Sequence, residues 1–206
     1  MGNSDESREE SAASLVDRIV AEKEDRDLRF LREAYKYAWK YSTDPSTATG
    51  ALFVKDDQIL SRGANYAPPG IELTDAIRFS EKKYDFIEHA ERVGIYEAAN
   101  EGISLKDSEL FSPWLTCAPC FRPLLFLHLK ALISHKELQD LSEKVDSKWG
   151  QSQKNALDMI KNSGIEYRLV SGMICDDISI RFKGKIYRQD KDLSFKLYSE
   201  EYSEFL

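Results

Sequence analysis

The sequence predicts an α/β sandwich, in which helices cover the faces of a central β-sheet. Two observations predict this class. Segments with apolar residues at three- and four-residue steps, the spacing of a helix, alternate with short apolar runs typical of strands, in the order α-β-β-α-β-α-β-α-β. Alternation of this kind is typical of one sheet with helices packed against it. The chain has 206 residues, of which 42% are hydrophobic and 32% charged, so it can bury a sizeable core.

The first elements follow an acidic N-terminal segment, residues 1–24, in which we expect a short helix and mobile first residues. A helix is predicted over Asp25–Tyr41, because Leu28, Leu31, Tyr35 and Ala38 form one apolar stripe. Two strands, Thr49–Val54 and Gln58–Gly63, are predicted to pair as a hairpin.

A long connection, Asn65–Asp85, contains Pro68-Pro69-Gly70 and leads to the next helix. Long loops in compact domains are often functional, so this one is predicted to form a pocket wall. The remaining helices are predicted over His89–Asn100, Cys117–Leu129 and Gln151–Asn162, and the remaining strands over Glu109–Leu115, Ala131–His135 and Ile165–Val170. The polar segment Leu138–Lys148 is predicted to be a loop.

Residues 174–206 form a predicted C-terminal extension to a domain that covers residues 25–173. Strands Ile178–Phe182 and Lys185–Arg188 flank Lys183-Gly184 and predict a hairpin. Three aromatic residues near the end are expected to dock on the domain or on a neighbouring subunit: Tyr198, Tyr202 and Phe205.

Charge and cysteine content narrow the classes of partner. The net charge of −7 gives no attraction to a phosphate backbone, so a nucleic-acid partner is not expected. No apolar run reaches the ~18 residues that span a membrane, and the polar N-terminus lacks the features of a signal peptide. Three cysteines, two of them in a CxxC, favour a reducing compartment, and a cytoplasmic location is predicted.

The most informative residues are His89 and Glu91, followed 26 residues after Glu91 by Cys117 and Cys120. Zinc accepts imidazole nitrogen and thiolate sulfur together, and three protein ligands leave a fourth position for water, as in catalytic zinc sites. The zinc ligands are therefore predicted to be His89, Cys117 and Cys120. Glu91 is not needed as a ligand, so it is predicted to transfer protons beside the metal.

Six segments around these residues carry a family resemblance: Ile87–Arg92, Ile95–Ala99, Gly102–Leu105, Pro113–Cys117, Asp44–Thr47 and Gly63–Pro68. Together they resemble the zinc-dependent cytidine and deoxycytidylate deaminase superfamily, and within it the dCMP deaminases, over about residues 25–170. The chain departs from the family pattern at Thr116, Phe121 and Val93, none of which is a predicted zinc ligand.

The resemblance implies a three-layer α/β/α sandwich with a five-stranded mixed sheet, and the reaction dCMP + H2O → dUMP + NH3. It also implies that Asn65 contacts the sugar and that the backbone N–H of Ala90 donates to the pyrimidine carbonyl. Partners implied are a small nucleotide substrate, dCTP and dTTP as effectors, and further copies of the chain in a homo-oligomer, often a hexamer.

Several roles stay open at the level of sequence. Trp114 and Tyr66 either stack on the base or belong to the core. The cation that would bind a phosphate cannot be chosen among six near the motifs: Arg62, Arg78, Lys82, Lys83, Arg92 and Arg122. Two other functions remain open, a deaminase of a nucleoside, another nucleotide or single-stranded nucleic acid, and a non-catalytic zinc protein with this fold.

Overall fold

A five-stranded mixed sheet forms the centre of the molecule in the computed structural model, which describes residues 12–145, 150–174 and 177–199. The strands are β1 (Gly50–Lys55), β2 (Gln58–Ala64), β3 (Glu109–Phe111), β4 (Ala131–His135) and β5 (Glu166–Val170). Their order is β2-β1-β3-β4-β5. The pairs β1/β2 and β1/β3 are antiparallel, whereas β3/β4 and β4/β5 are parallel. The predicted five-stranded mixed sheet is confirmed.

Helices lie on both faces of this sheet. They are α1 (Ala12–Tyr41), α2 (Asp75–Arg78), α3 (Ala90–Asn100), α4 (Ala118–Phe126), α5 (Lys136–Val145) and α6 (Gly150–Ser163), with a 3-10 helix at Glu81–Asp85. Because side chains alternate along a strand, Phe53 packs with the α3, α4 and α6 side, whereas Leu52 packs with α1. None of the helices in the described part of the chain combines the length and apolar character that crossing a membrane requires.

Helix α1 is longer than the sequence predicted. It begins at Ala12 and runs without a break through residue 24, where the N-terminal segment was expected to end. Arg168 of β5 anchors it to the sheet, donating from Nε to the almost fully buried Asp27 at 2.7 Å. Arg168 also donates to Glu109 of β3 at 2.9 Å, so one guanidinium joins α1 to two strands.

The prediction of a loop over Leu138–Lys148 was wrong for residues 138–145, because α5 covers Lys136–Val145; residues 146–148 lie outside the described residues. The helix buries Leu138 and Leu141, and it also buries the polar residues Glu137, Gln139 and Ser142. Buried polar residues give no hydrophobic signal in the sequence, although the three-residue spacing of the two leucines is helical. Strand β3 is also shorter than predicted, ending at Phe111 rather than Leu115.

The C-terminal extension forms a second sheet. The predicted hairpin is present as β6 (Ser179–Phe182) and β7 (Lys185–Gln189), and a third strand, β8 (Phe195–Ser199), pairs with β7. Tyr198 lies in β8, with the Arg188 guanidinium 3.7 Å from its ring centroid. Cys175, Tyr202 and Phe205 lie outside the described residues, as do residues 1–11, expected to be mobile. The predicted boundary at residue 174 stays a prediction.

Candidate metal centre and active site

The start of α3 places His89 and Glu91 together. His89 is the N-cap residue, with extended backbone angles, and Glu91 lies in the first turn. Helix α3 packs closely on β2, because a Cβ at Gly63 would come within 2.0 Å of the Ala90 carbonyl oxygen. The Ser61 hydroxyl donates to the Gly94 carbonyl at 2.6 Å and holds the same two elements together. Glycine at position 63 therefore sets the position of the helix that carries His89 and Glu91.

The start of α4 places the two cysteines beside His89. Cys117 is the N-cap residue of α4, and Cys120 follows within its first turn. One potential ligand atom from each of His89, Cys117 and Cys120 lies within 4.8 Å of the others. The Cys117 Sγ atom is 3.6 Å from His89 Nδ1. A sulfur and a nitrogen bound to one zinc ion at a tetrahedral angle lie about 3.5 Å apart, so the two distances agree. These three residues could form a zinc site, as the sequence predicted.

The surroundings of these three groups favour positive charge between them. The hydrogen bond from Cys120 lowers the pKa of Cys117, despite burial, and His89 adds to that effect. The same bond raises the pKa of Cys120. Burial opposes protonation of His89, but its bond with Cys117 and the charge of Glu91 raise its pKa. A zinc ion would meet the same attraction and would take the place of the shared protons.

Arg92 supports this cluster from outside. Its Nη1 lies 3.5 Å from Cys120 Sγ, and its Nε donates to Glu88 Oε1 at 2.7 Å. The same Glu88 oxygen accepts from the His89 backbone N–H at 2.7 Å. Groups bonded to metal ligands in this way orient them and tune their charge. Arg92, one of the six candidate phosphate cations, is therefore held beside a predicted zinc ligand.

A cavity opens in front of the cluster. Five of its lining residues were predicted as site residues: Asn65, His89, Glu91, Trp114 and Cys117. Glu91 is only 4% exposed yet faces this cavity. The predicted catalytic carboxylate therefore lies beside two predicted zinc ligands in the same cavity.

Of the predicted substrate contacts, Asn65 lines this cavity, whereas Ala90 and Tyr66 are not among its described lining residues. Asn65 bridges two backbone segments, since its Oδ1 accepts from the Thr49 N–H at 2.8 Å and its Nδ2 donates to the Thr47 carbonyl at 2.7 Å. One donor and one acceptor position of the amide remain beyond these two bonds. Ala90 is fully buried at the first position of α3. The Tyr66 hydroxyl donates to Glu97 at 2.8 Å, on an exposed part of α3.

Sequence reasoning missed three lining residues from the C-terminal part of the chain. They are Ser142 of α5, Gln153 of α6 and Phe182 of β6. The Phe182 and Trp114 rings have centroids 4.7 Å apart at 45°, so these two aromatic residues together form one wall of the cavity. No local pattern could have placed Phe182 there, but an α5 recognised from Leu138 and Leu141 would have brought Ser142 into consideration.

Three donor groups, those of His89, Cys117 and Cys120, and the carboxylate of Glu91 lie at the N-termini of α3 and α4. This combination is typical of one class of protein, the zinc-binding deaminases. The chain belongs to the cytidine and deoxycytidylate deaminase family, because the model of that family's zinc-binding region matches residues 24–135, more than half of the chain. The predicted family is confirmed, and zinc is the metal of the matched region.

Individual relatives are distant. The chain is 29% identical over 126 residues to an uncharacterized deaminase in the luxG 3′ region of Aliivibrio fischeri, covering 61% of this chain and 81% of the relative. The crystal structure of a dCMP deaminase from the cyanophage S-TIM5, in complex with dCMP and dUMP, superposes with a TM-score of 0.51 at 19% identity, over 68% of this chain and 93% of that one.

A bifunctional diaminohydroxyphosphoribosylaminopyrimidine deaminase and 5-amino-6-(5-phosphoribosylamino)uracil reductase from Thermotoga maritima gives a TM-score of 0.52 at 20% identity. The match covers 73% of this chain but only 37% of that protein. At these identities the two structures show a shared fold.

Proposed function

We propose that this chain is a zinc-dependent hydrolase that deaminates the cytosine of a free nucleotide, converting dCMP and water to dUMP and ammonia. The observation that carries the proposal is the position of Glu91, buried and facing the cavity beside His89 and Cys117. A buried carboxylate next to a predicted metal site has little structural purpose, whereas proton transfer needs a carboxylate in this place.

The chemistry assigned to the residues follows from their placement. Zinc held by His89, Cys117 and Cys120 would supply Lewis-acid activation of water. Glu91 accepts a proton from the attacking water and delivers it to N3 of the ring. The hydroxide that forms attacks C4. Glu91 then carries a second proton to the exocyclic amine, which leaves as ammonia, so that the carboxylate acts first as base and then as acid.

The cavity suits a pyrimidine base, and the charge of the chain favours a free nucleotide over a polymer. Trp114 and Phe182 close one side, and flat apolar rings suit stacking against a pyrimidine. The net charge of −7 also disfavours a polynucleotide backbone. The preference for dCMP rests on the sequence resemblance, and assembly as a homo-oligomer and control by dCTP and dTTP remain predictions on the same ground.

The decisive experiment measures ammonia release from dCMP by protein of known zinc content. Glu91→Gln is expected to retain zinc and to lose activity by about 10²- to 10⁴-fold, the usual contribution of a general acid–base. Glu101→Gln is the matched control, because Glu101 is an exposed carboxylate at the far end of the same helix. It is expected to keep wild-type turnover.

Two results would contradict the proposal. Full activity in Glu91→Gln would remove the proton-transfer role from this residue. A wild-type protein that holds zinc but turns over deoxycytidine or single-stranded DNA faster than dCMP, under the same conditions, would reject the substrate.

A further inference from the structure

A second cavity adjoins the predicted active site, and the two share Asp44. This second cavity is lined by the loop that follows α1, by the end of α2 and by β6; its lining residues include Asp44, Arg78 and Arg181. Asp44 also lines the cavity that contains Glu91. The two cavities are therefore neighbours at Asp44.

The wall that carries Arg181 is fixed by backbone hydrogen bonds. The Ala48 N–H donates to the Arg181 carbonyl at 3.0 Å, and the Gly184 N–H donates to the Ser46 carbonyl at 2.8 Å. The Arg181 side chain is 1% exposed, and its Nη2 donates to the Ser42 carbonyl at 3.2 Å. This guanidinium is held in place before any ligand arrives, which reduces the entropy lost on binding.

Arg78 faces the same cavity with an unsatisfied donor. Its Nε is buried and has no hydrogen-bond partner among the described residues. A buried donor without an acceptor costs about 1–3 kcal/mol, and such groups in folded proteins often indicate a missing ion or ligand. An acceptor that entered the cavity would remove this cost.

The charge of the cavity suits an anion. Asp44, the carboxylate among its described lining residues, already accepts from the buried Lys83 ammonium at 2.6 Å and from the Ser46 N–H at 2.8 Å. Among the described ionisable groups at this point, three are cationic and one is anionic: Arg78, Arg181 and Lys83 against Asp44. Two guanidinium groups also provide the planar pairs of donors that match phosphate oxygens.

We infer that the Arg78–Arg181 cavity is a phosphate subsite, which binds the phosphate of a nucleoside monophosphate whose base lies in the cavity that contains Glu91. The inference rests on the proposed function for the identity of the base. It selects Arg78 from the six cations near the motifs and adds Arg181, which lies outside the family-matching region. The C-terminal sheet thereby contributes to substrate recognition on both sides of Asp44, through Phe182 and Arg181.

The test compares the binding of a nucleotide with that of the matching nucleoside. Calorimetry with the zinc-loaded protein measures affinity for dUMP and for deoxyuridine, in the wild type and in Arg78→Gln. We expect the substitution to weaken dUMP binding by about 10- to 100-fold, the value of a hydrogen bond to a charged group, and to leave deoxyuridine binding unchanged. Lys82→Gln removes an exposed cation nearby and is expected to change neither affinity.

Two other outcomes count against the inference. Equal losses for dUMP and deoxyuridine would show that Arg78 supports the cavity rather than the phosphate. Equal affinity of the wild type for the two ligands would exclude a phosphate subsite. If Arg78→Gln weakens dUMP binding selectively but the wild type does not deaminate dCMP, then the proposed reaction fails while the subsite stands.

Discussion

Replacing Gly63 by Ala is expected to damage both stability and catalysis by displacing α3. The new Cβ would lie 2.0 Å from the Ala90 carbonyl oxygen and 2.5 Å from the Gly94 nitrogen. Both are backbone atoms, so no side-chain rotation relieves the overlap. Since Cβ atoms essentially never approach closer than 3.0 Å, β2 and α3 must separate by at least 1.0 Å, the difference between 3.0 and 2.0 Å.

This displacement sets the expected magnitudes. Overpacking of this kind costs about 1–3 kcal/mol of unfolding free energy. The moving helix carries His89 and Glu91, and a 1 Å misplacement of catalytic groups typically costs about 10²-fold in rate. We therefore expect Gly63→Ala to be less stable, to bind zinc more weakly and to turn over substrate about 100-fold more slowly.

Urea unfolding gives the stability, and zinc content and ammonia release give the state of the site. Gly150→Ala is the matched control, because a Cβ at Gly150 meets nothing within 4 Å. Its stability is expected to stay within about 1 kcal/mol of wild type, the range of a helical Gly→Ala change. Wild-type stability and zinc content in Gly63→Ala would refute the close approach of β2 and α3 and the role assigned to it.

Two further predictions concern buried polar groups. Asn65→Ala leaves the Thr47 carbonyl and the Thr49 N–H without their partner and should lower the free energy of unfolding in urea by about 1–3 kcal/mol. Asn65→Asp keeps one acceptor, so its stability should fall between those of Asn65→Ala and wild type. An unchanged unfolding midpoint for Asn65→Ala would contradict the bridge that Asn65 forms between Thr47 and Thr49. Burial opposes ionisation of Glu137, but hydrogen bonds from His135 and Ser171 lower its pKa from 4.5 to about 2. A carboxyl group whose pKa is lowered by folding stabilises the fold fully above its pKa in the unfolded chain, and this stabilisation is lost as the pH falls through its pKa in the folded protein. Glu137→Gln removes this group. The free energy of unfolding should therefore fall less steeply between pH 4.5 and about 2 in Glu137→Gln than in wild type.

The zinc cluster could be predicted from sequence because its spacing is local. His89 and Glu91 are two positions apart, and Cys117 and Cys120 are three apart, so each pair fits one helix start. The mixed sheet was also predictable, since its strands are short apolar runs bounded by turns. By contrast, α5 shows few apolar residues, because its buried residues include the polar Glu137, Gln139 and Ser142.

The contacts that shape the cavity could not be predicted in this way, because they join distant parts of the chain. Trp114 and Phe182 meet only because the C-terminal sheet packs against the domain. Likewise, nothing in the local sequence around Arg78 distinguishes it from the other cations near the motifs. Its buried Nε and its shared cavity with Arg181 emerge only from the packing of α2 and β6 beside the loop at Asp44.

The residues assigned to the reaction and those that shape the cavity come from different parts of the chain. The groups assigned to the chemistry, from His89 to Cys120, lie within the family-matching residues 24–135. Phe182 and Arg181 lie beyond them, in a sheet joined to the domain by a cluster that includes Tyr35, Leu138 and Ile180. That buried cluster packs the C-terminal sheet against the domain, and Phe182 of the same sheet lines the cavity. If Phe182 and Arg181 contact the substrate as proposed, substitutions in β6 would change substrate choice while the groups assigned to zinc binding and proton transfer stay in place.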